Sequence, residues 1–273
     1  MRPLIDLVNT LLPMLYAVAT MNYSIDFFRE DPFAKRMNRP LLGTVVGLHA
    51  LYVVLRTLMY GHIPLASPAE VLTMVALAVA LVYVVIELSM DNQKTGMFVL
   101  AFSFAIQTLA SAFMRDTYEI PEVLRSPLFG VHTTSAVIGY TACAVSAIYG
   151  VLYLLLYHDL KSSRFGIVYQ RLPSLDILAR MSLRATVLGT IFLTVTIVIG
   201  ALWASERFPG FTTDPKFVST VAVWLVYATG IGFHYALNWG GRRTIYVSLA
   251  GFALMVASAI AVKYWLPTFH GFA

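Results

Sequence analysis

Apolar residues run along this chain in blocks of about 20, each ended by a short stretch carrying charge, proline or glycine. A block of that length spans the hydrocarbon of a bilayer as a helix, because only a helix or a closed barrel pairs all of its own backbone N–H and C=O groups there. Eight blocks qualify: residues 4–22, 41–60, 69–89, 96–114, 130–157, 184–204, 218–239 and 244–266. The pattern predicts an all-α fold, a polytopic integral membrane protein with eight transmembrane helices. No Pro/Gly/Ser-rich linker or low-complexity tract divides the chain, so 1–273 reads as a single transmembrane domain.

Between the blocks, several residues read as helix punctuation. Ser67-Pro68-Ala69-Glu70 fits a capping box with proline at the first helical position, opening the third span. Asp214-Pro215 starts the seventh span in the same way, with the Asp214 carboxylate accepting free backbone N–H groups. In the long loop 158–183, Leu172, Leu175, Leu178 and Met181 recur every third residue, which predicts a short helix lying in the membrane interface. The loop 115–129 carries Arg115, Glu119, Glu122 and Arg125 and is placed to cover a pocket.

Composition agrees with the blocks: 59% of the 273 residues are hydrophobic, 12% are charged and the mean hydropathy is +0.75. The basic residues alternate between loops. Arg29, Lys35, Arg36, Arg39, Lys94, Lys161, Arg164, Arg171, Arg180, Arg184, Arg242 and Arg243 share one side, against Arg2, Arg115, Arg125, Arg207 and Lys216 on the other. Retained positive charge marks the cytoplasmic face, so both termini are expected outside, in a multi-pass protein of the cell (cytoplasmic or inner) membrane. The net charge of +5 is an orientation signal and a contact with lipid headgroups, and no nucleic-acid surface is expected. Ala17-Val18-Ala19 resembles a signal-peptidase site, but Asp6 interrupts the apolar region ahead of it, so the first span is expected to be retained.

One cysteine, Cys143, lies inside the fifth span, which excludes covalent haem attachment through C-x-x-C-H and a dithiol redox pair. No His pair at i, i+4 and no Cys cluster supports zinc, and no G-x-S-x-G elbow supports a hydrolase triad. Six histidines remain. His49 falls roughly 12 Å into the second span and His234 roughly 7–8 Å from the end of the seventh, at about 1.5 Å per residue. Ionisable groups inside a bilayer usually have a task, although a neutral imidazole bonded to a neighbouring helix also fits. His132 opens the fifth span and His270 follows the eighth, on the side expected for the loop Gly200–Phe217. His62 and His158 read as solvated loop residues. Imidazoles from separate helices suit the axial positions of a haem iron, and the aromatic faces of Trp203, Phe208 and Phe211, with Arg207, Lys216 or Arg125 as cations, suit a flat ligand bearing carboxylates.

Taken together, Leu48-His49 with Arg56 downstream, His62-Ile63-Pro64-Leu65 before Glu70, His132, Leu172-Pro173-Ser174-Leu175-Asp176, Gly200-Ala201-Leu202-Trp203, Asp214-Pro215-Lys216, Trp224-Leu225-Val226-Tyr227 and the Leu266–His270 tail resemble the cytochrome c assembly protein family, which includes the CcsA, CcmC, CcmF and HemX-like proteins. The resemblance covers most of the chain. It implies that His49 and His234 match transmembrane haem-ligating histidines, and that His132 and His270 match two external ones beside a tryptophan-rich haem-handling loop. It also implies that Trp203, Phe208, Phe211, Asp214 and Lys216 belong to that loop. Phe208 and Phe211 stand where further tryptophans are found in the family, and Phe217 replaces a glutamate, which brings the chain closer to the HemX-like branch.

The expected function is therefore membrane haem handling of the cytochrome c assembly type. Non-covalent haem is bound through histidine pairs and presented at an external aromatic loop, by a haem transporter or chaperone or by a subunit of a cytochrome c haem lyase. Expected partners are haem, a membrane assembly partner with a large external domain, and apocytochrome c or a tetrapyrrole-synthesis enzyme. Two alternatives stand beside it: a HemX-like regulatory protein of tetrapyrrole synthesis acting through residues 161–184, and a bis-histidine electron carrier exchanging electrons with quinone.

Overall fold

The structure, a computed structural model, describes residues 2–115, 126–163, 166–205 and 209–266. The helices are α1 (Arg2–Arg29), α2 (Pro32–Tyr60), α3 (Pro68–Met90), α4 (Gly96–Phe113), α5 (Pro127–Lys161), the short α6 (Ile167–Arg171), α7 (Leu175–Ser205), α8 (Pro215–Ala236) and α9 (Arg242–Tyr264). Among the described residues eight helices are long and apolar enough to cross a membrane, one for each predicted block, and no strand is present. The chain is a multi-pass membrane protein.

Local chemistry sets the helix ends. Asp31 accepts the Ala34 N–H at 2.8 Å and Pro32 follows it, so α2 starts there rather than at residue 41. Lys35, Arg36 and Arg39 consequently lie in the first turns of a helix that outruns the hydrocarbon. Gly61, at φ 72°, ends α2 with its N–H on the Thr57 carbonyl. The predicted interfacial helix is corrected: Leu175, Leu178 and Met181 form the first turns of α7, because no proline follows Pro173 to stop the helix running on into the membrane. The separate short helix is α6.

The helices group into two compact units. In the first, α1 packs on α2 and α4, and α3 on α4 and α2, with α6 beside α1. The buried faces follow helical spacing: Leu12, Tyr16, Ala19, Tyr23 and Phe27 on α1, and Leu42, Val45, His49, Tyr52, Arg56 and Tyr60 on α2. Leu7, Leu11, Met14 and Val18 occupy the exposed face of α1, as a lipid-facing surface requires. The polar members of these α1 and α2 stripes find partners on neighbouring helices. At one end, the buried Glu87 carboxylate accepts from Tyr23 at 2.6 Å and Arg39 at 3.1 Å, while Asn38 donates to Asp26 at 2.8 Å and Gln93 at 2.9 Å. Arg171 pairs with Glu30 and ties α6 to the turn after α1.

In the second unit, α8 packs on α9 and α7, and α7 on α9, joined by the first part of α5. The Ser146 hydroxyl on α5 lies 2.7 Å from both Thr186 Oγ1 and Ser248 Oγ and 2.9 Å from Ser182 Oγ, a knot of hydroxyls that links three helices. Close approach needs small residues: a Cβ at Gly189 would lie 2.8 Å from Cys143 Sγ.

Candidate functional site

His132 sits in the second turn of α5, against α7. Its Nδ1 is 3.0 Å from the Thr196 carbonyl oxygen. A carbonyl only accepts, so Nδ1 carries the ring proton and Nε2 keeps its lone pair. Thr196, Gly200 and Trp203 fall on one face of α7, at spacings of four and three. Gly200 is what lets the ring in, because a Cβ there would lie 2.6 Å from His132 Cε1 and 2.8 Å from Nδ1. One turn on, Trp203 is buried and packs on Phe129 of α5, their ring centroids 6.0 Å apart. The ring of His132 is thus fixed in tautomer and in orientation, half-buried, with Nε2 unbonded among the described residues.

The loop that follows α7 closes onto α8. Phe211–Thr213 form one turn of 3-10 helix, and Asp214 caps α8 as its position before Pro215 predicts, taking the N–H groups of Lys216 at 3.0 Å and Phe217 at 3.2 Å. Phe211 meets Phe217 edge to face at 5.4 Å, and Lys216 is exposed. Arg125, Arg207, Phe208 and His270 lie outside the described residues, as does most of the loop 115–129.

His234 shares the arrangement of His132. It lies in the last turn of α8, two residues before the helix ends, and its Nδ1 is bonded to the Trp239 carbonyl oxygen, so Nε2 again holds the lone pair. The turn that supplies this carbonyl is held by Trp239, whose ring packs at a tilt on Phe233 at 4.8 Å and lies under the Arg243 guanidinium at 5.5 Å.

In the first unit His49 differs. It lies 17 residues along α2 from Pro32, about 26 Å at about 1.5 Å per residue, and is fully buried. Both ring nitrogens are engaged: Nδ1 lies 3.0 Å from the Tyr16 hydroxyl and Nε2 3.0 Å from Thr73 Oγ1. A histidine binds iron through a bare nitrogen held by a bond on the other. His132 and His234 meet that requirement as they stand, and His49 does not.

Three features were not read from the sequence. Tyr16 and Thr73 bond to His49, Thr73 to Gln107 and Gln107 to Ser111, a cross-helix set with no spacing signature. Arg56 is buried two turns above His49, its Nε and Nη2 3.0 and 2.9 Å from Glu70 Oε1. Ser67 does cap the Glu70 N–H, at 3.2 Å, but the Glu70 side chain serves Arg56 and the Ala66 N–H instead of the cap residue's own N–H. His62, read as solvated, is buried, with Nδ1 on the Ile63 carbonyl, whereas His158 is exposed as expected.

The Cytochrome C assembly protein model matches residues 68–270, a stretch that contains His132, the loop 200–217 and His234. Protein HemX of Brevibacillus brevis is 26% identical over 265 residues, covering 94% of each chain. Protein HemX of Bacillus subtilis (strain 168) is 26% identical over 79% of each, and the cytochrome c biogenesis protein CcsA of Prochlorococcus marinus (strain MIT 9303) is 27% identical over 77% of this chain and 76% of its own. The pinned histidines and the capped loop sit inside the matched region, and the chain belongs to the cytochrome C assembly protein family.

Proposed function

We propose that this chain is a haem-handling membrane protein of cytochrome c biogenesis, holding haem non-covalently through histidine imidazoles. The observation that carries the reading is the pinned ring of His132, with Nδ1–H on the Thr196 carbonyl, Nε2 bare, and Gly200 leaving room for the imidazole. Such imidazole lone pairs would hold haem iron if the group were bound there. His132 is the ligand at the aromatic loop, with His270 its partner by the family resemblance, and His234 is a second ligand of the same kind.

Each surrounding group has a defined task. Phe211 and Phe217 offer aromatic faces and edges at the loop, and the exposed Lys216 ammonium can pair with a propionate. Trp203 supports His132 through its packing on Phe129, and Asp214 holds the start of α8 rather than reaching a ligand. By the basic residues of alternate loops, the aromatic loop and both termini face outward in the cell membrane. There the protein delivers haem, as a transporter or chaperone or as a subunit of a cytochrome c haem lyase, to apocytochrome c, with a membrane partner bearing a large external domain.

A second reading, a HemX-like role in controlling tetrapyrrole synthesis, is favoured by the HemX match over 94% of the chain. Deletion of the gene separates the two: lost cytochrome c maturation with an unchanged level of glutamyl-tRNA reductase supports haem delivery, and the reverse supports control. The haem reading itself is tested by purifying the protein in detergent and measuring haem content with oxidised and reduced optical spectra. Bound or added haem is expected to give the spectrum of nitrogen-ligated iron, altered by His132→Ala and by His234→Ala. A protein that neither carries nor takes up haem, or whose spectra ignore both substitutions, overturns it.

A further inference from the structure

The end of α8 carries, in other residues, the equipment found around His132. The turn from α8 to α9 closes on Phe233, whose carbonyl takes the Leu237 N–H at 3.0 Å and the Trp239 N–H at 3.3 Å. Gly241, at φ 56°, then swings the chain into α9 through a conformation that side chains rarely adopt. The Trp239 carbonyl is filled by two donors, the His234 Nδ1–H and the Thr244 hydroxyl, the latter at 3.3 Å. The imidazole is therefore held from the turn. Its ring is half-buried, and its unbonded Nε2 lies at the protein surface, unlike the bare Nε2 of His62, which is buried.

The same tryptophan seats a cation. Arg243 Cζ lies 5.5 Å from the centroid of the Trp239 ring, and the guanidinium is exposed, with no acidic partner among the described residues. None follows it in the sequence either, because no Asp or Glu occurs after Asp214. Nor does the helix itself require the charge. The first turn of a helix favours acidic residues, and that of α9 has none and opens on Arg242 and Arg243 instead. Beside this cation Phe233, Tyr235 and Tyr246 present exposed aromatic rings.

We propose that Arg243, seated on Trp239, is a specificity-determining residue that pairs with the carboxylates of a porphyrin held at His234. Resting on the haem-handling reading above, the proposal gives Trp239 two tasks: its carbonyl pins the imidazole and its ring places the guanidinium. A guanidinium fork takes a carboxylate through two parallel N–H bonds and keeps its charge, whereas an esterified propionate offers it no charge to pair with. An exposed ion pair is worth little, so the preference for free carboxylates over esters is about fivefold. It weakens as salt is added, because exposed charges are screened.

The test uses full-length protein carrying His132→Ala, in nanodiscs of neutral phosphatidylcholine, where no anionic headgroup competes for the guanidinium. Haemin, haemin dimethyl ester and metal-free protoporphyrin IX are titrated by absorbance and porphyrin fluorescence. Arg243→Gln is expected to weaken haemin and protoporphyrin IX about fivefold and to leave the diester unchanged, while Arg243→Lys keeps part of the preference. Trp239→Leu, which removes the seat, is expected to lose the same preference. His234→Ala is expected to weaken haemin and its diester and to spare protoporphyrin IX, which has no iron to ligate. An Arg243→Gln variant that binds haemin as before, or that loses the diester as much as haemin, overturns the assignment; the cation then serves lipid headgroups or the fold. A preference intact in Trp239→Leu overturns the seat. Failure of the underlying reading is distinct: haemin then binds no better than protoporphyrin IX and His234→Ala changes neither, whatever Arg243→Gln does.

Discussion

Gly200→Ala should disable His132 without touching it. The new Cβ would lie 2.6 Å from His132 Cε1 and 2.8 Å from Nδ1, and the ring must retreat by about 0.8 Å to regain ordinary contact at 3.4 Å. Moving off α7 lengthens the 3.0 Å bond from Nδ1 to the Thr196 carbonyl beyond hydrogen-bonding distance. The lost bond costs about 0.5–1.5 kcal/mol. Crowding a packed helix contact costs about 1–3 kcal/mol more. With the ring no longer fixed in orientation or tautomer, haem affinity should fall about 10–100-fold, the usual consequence of losing a ligand's outer hydrogen bond. The assay is haem titration of purified Gly200→Ala, followed optically, beside Gly43→Ala as control. A Cβ at Gly43 meets nothing within 4 Å, so the control should bind haem as wild type does. If Gly200→Ala also binds as wild type does, the ring of His132 is not what the reasoning takes it to be.

In the first unit, Glu70→Leu leaves the buried Arg56 guanidinium without its counter-ion and should cost about 3–5 kcal/mol of stability in denaturant melts, most of which Arg56→Leu/Glu70→Leu should restore. A double variant no better than the single would count against the pairing. Gly189→Val drives a side chain into Cys143 Sγ and the Gly139 carbonyl oxygen, 2.8 and 3.0 Å from the first added carbon, and should destabilise the second unit by at least about 1–3 kcal/mol in the same assay. Hydrogen bonding and charge from Arg171 hold the Glu30 carboxyl below its ordinary value of 4.5. A lowered folded value means the contact contributes fully above that ordinary value and is lost as pH falls through the lowered one, so Arg171→Gln should raise the Glu30 titration midpoint measured by NMR. An unmoved midpoint would show that the pair does not persist in solution.

All eight spans were legible because hydrocarbon thickness imposes a length that the sequence cannot disguise. Their ends were less so. Charge at Lys35, Arg36 and Arg39 reads as loop, yet a helix capped by Asp31 carries it and runs on through Pro40 into the span. The tripeptide rhythm Leu172, Leu175, Leu178, Met181 is shared by an interfacial helix and by the buried edge of a membrane one, and α7 is the second. At the site, the residue types could be picked out but their states could not. That Nδ1 of His132 is protonated follows from a carbonyl 64 positions away, and the engagement of both His49 nitrogens from partners on two other helices. His62 shows the same limit, because a loop histidine looks solvated until the loop is seen folded over it.

Chemical rescue tests most directly whether the Nε2 of His132 grips haem iron. Haem-loaded His132→Gly protein, which lacks the ring but keeps the space that Gly200 leaves for it, is titrated with free imidazole while the optical spectrum is followed. The wild-type spectrum is expected to be lost on substitution and regained as imidazole fills the space. A spectrum that His132→Gly leaves unchanged, or one that imidazole does not restore, would contradict it.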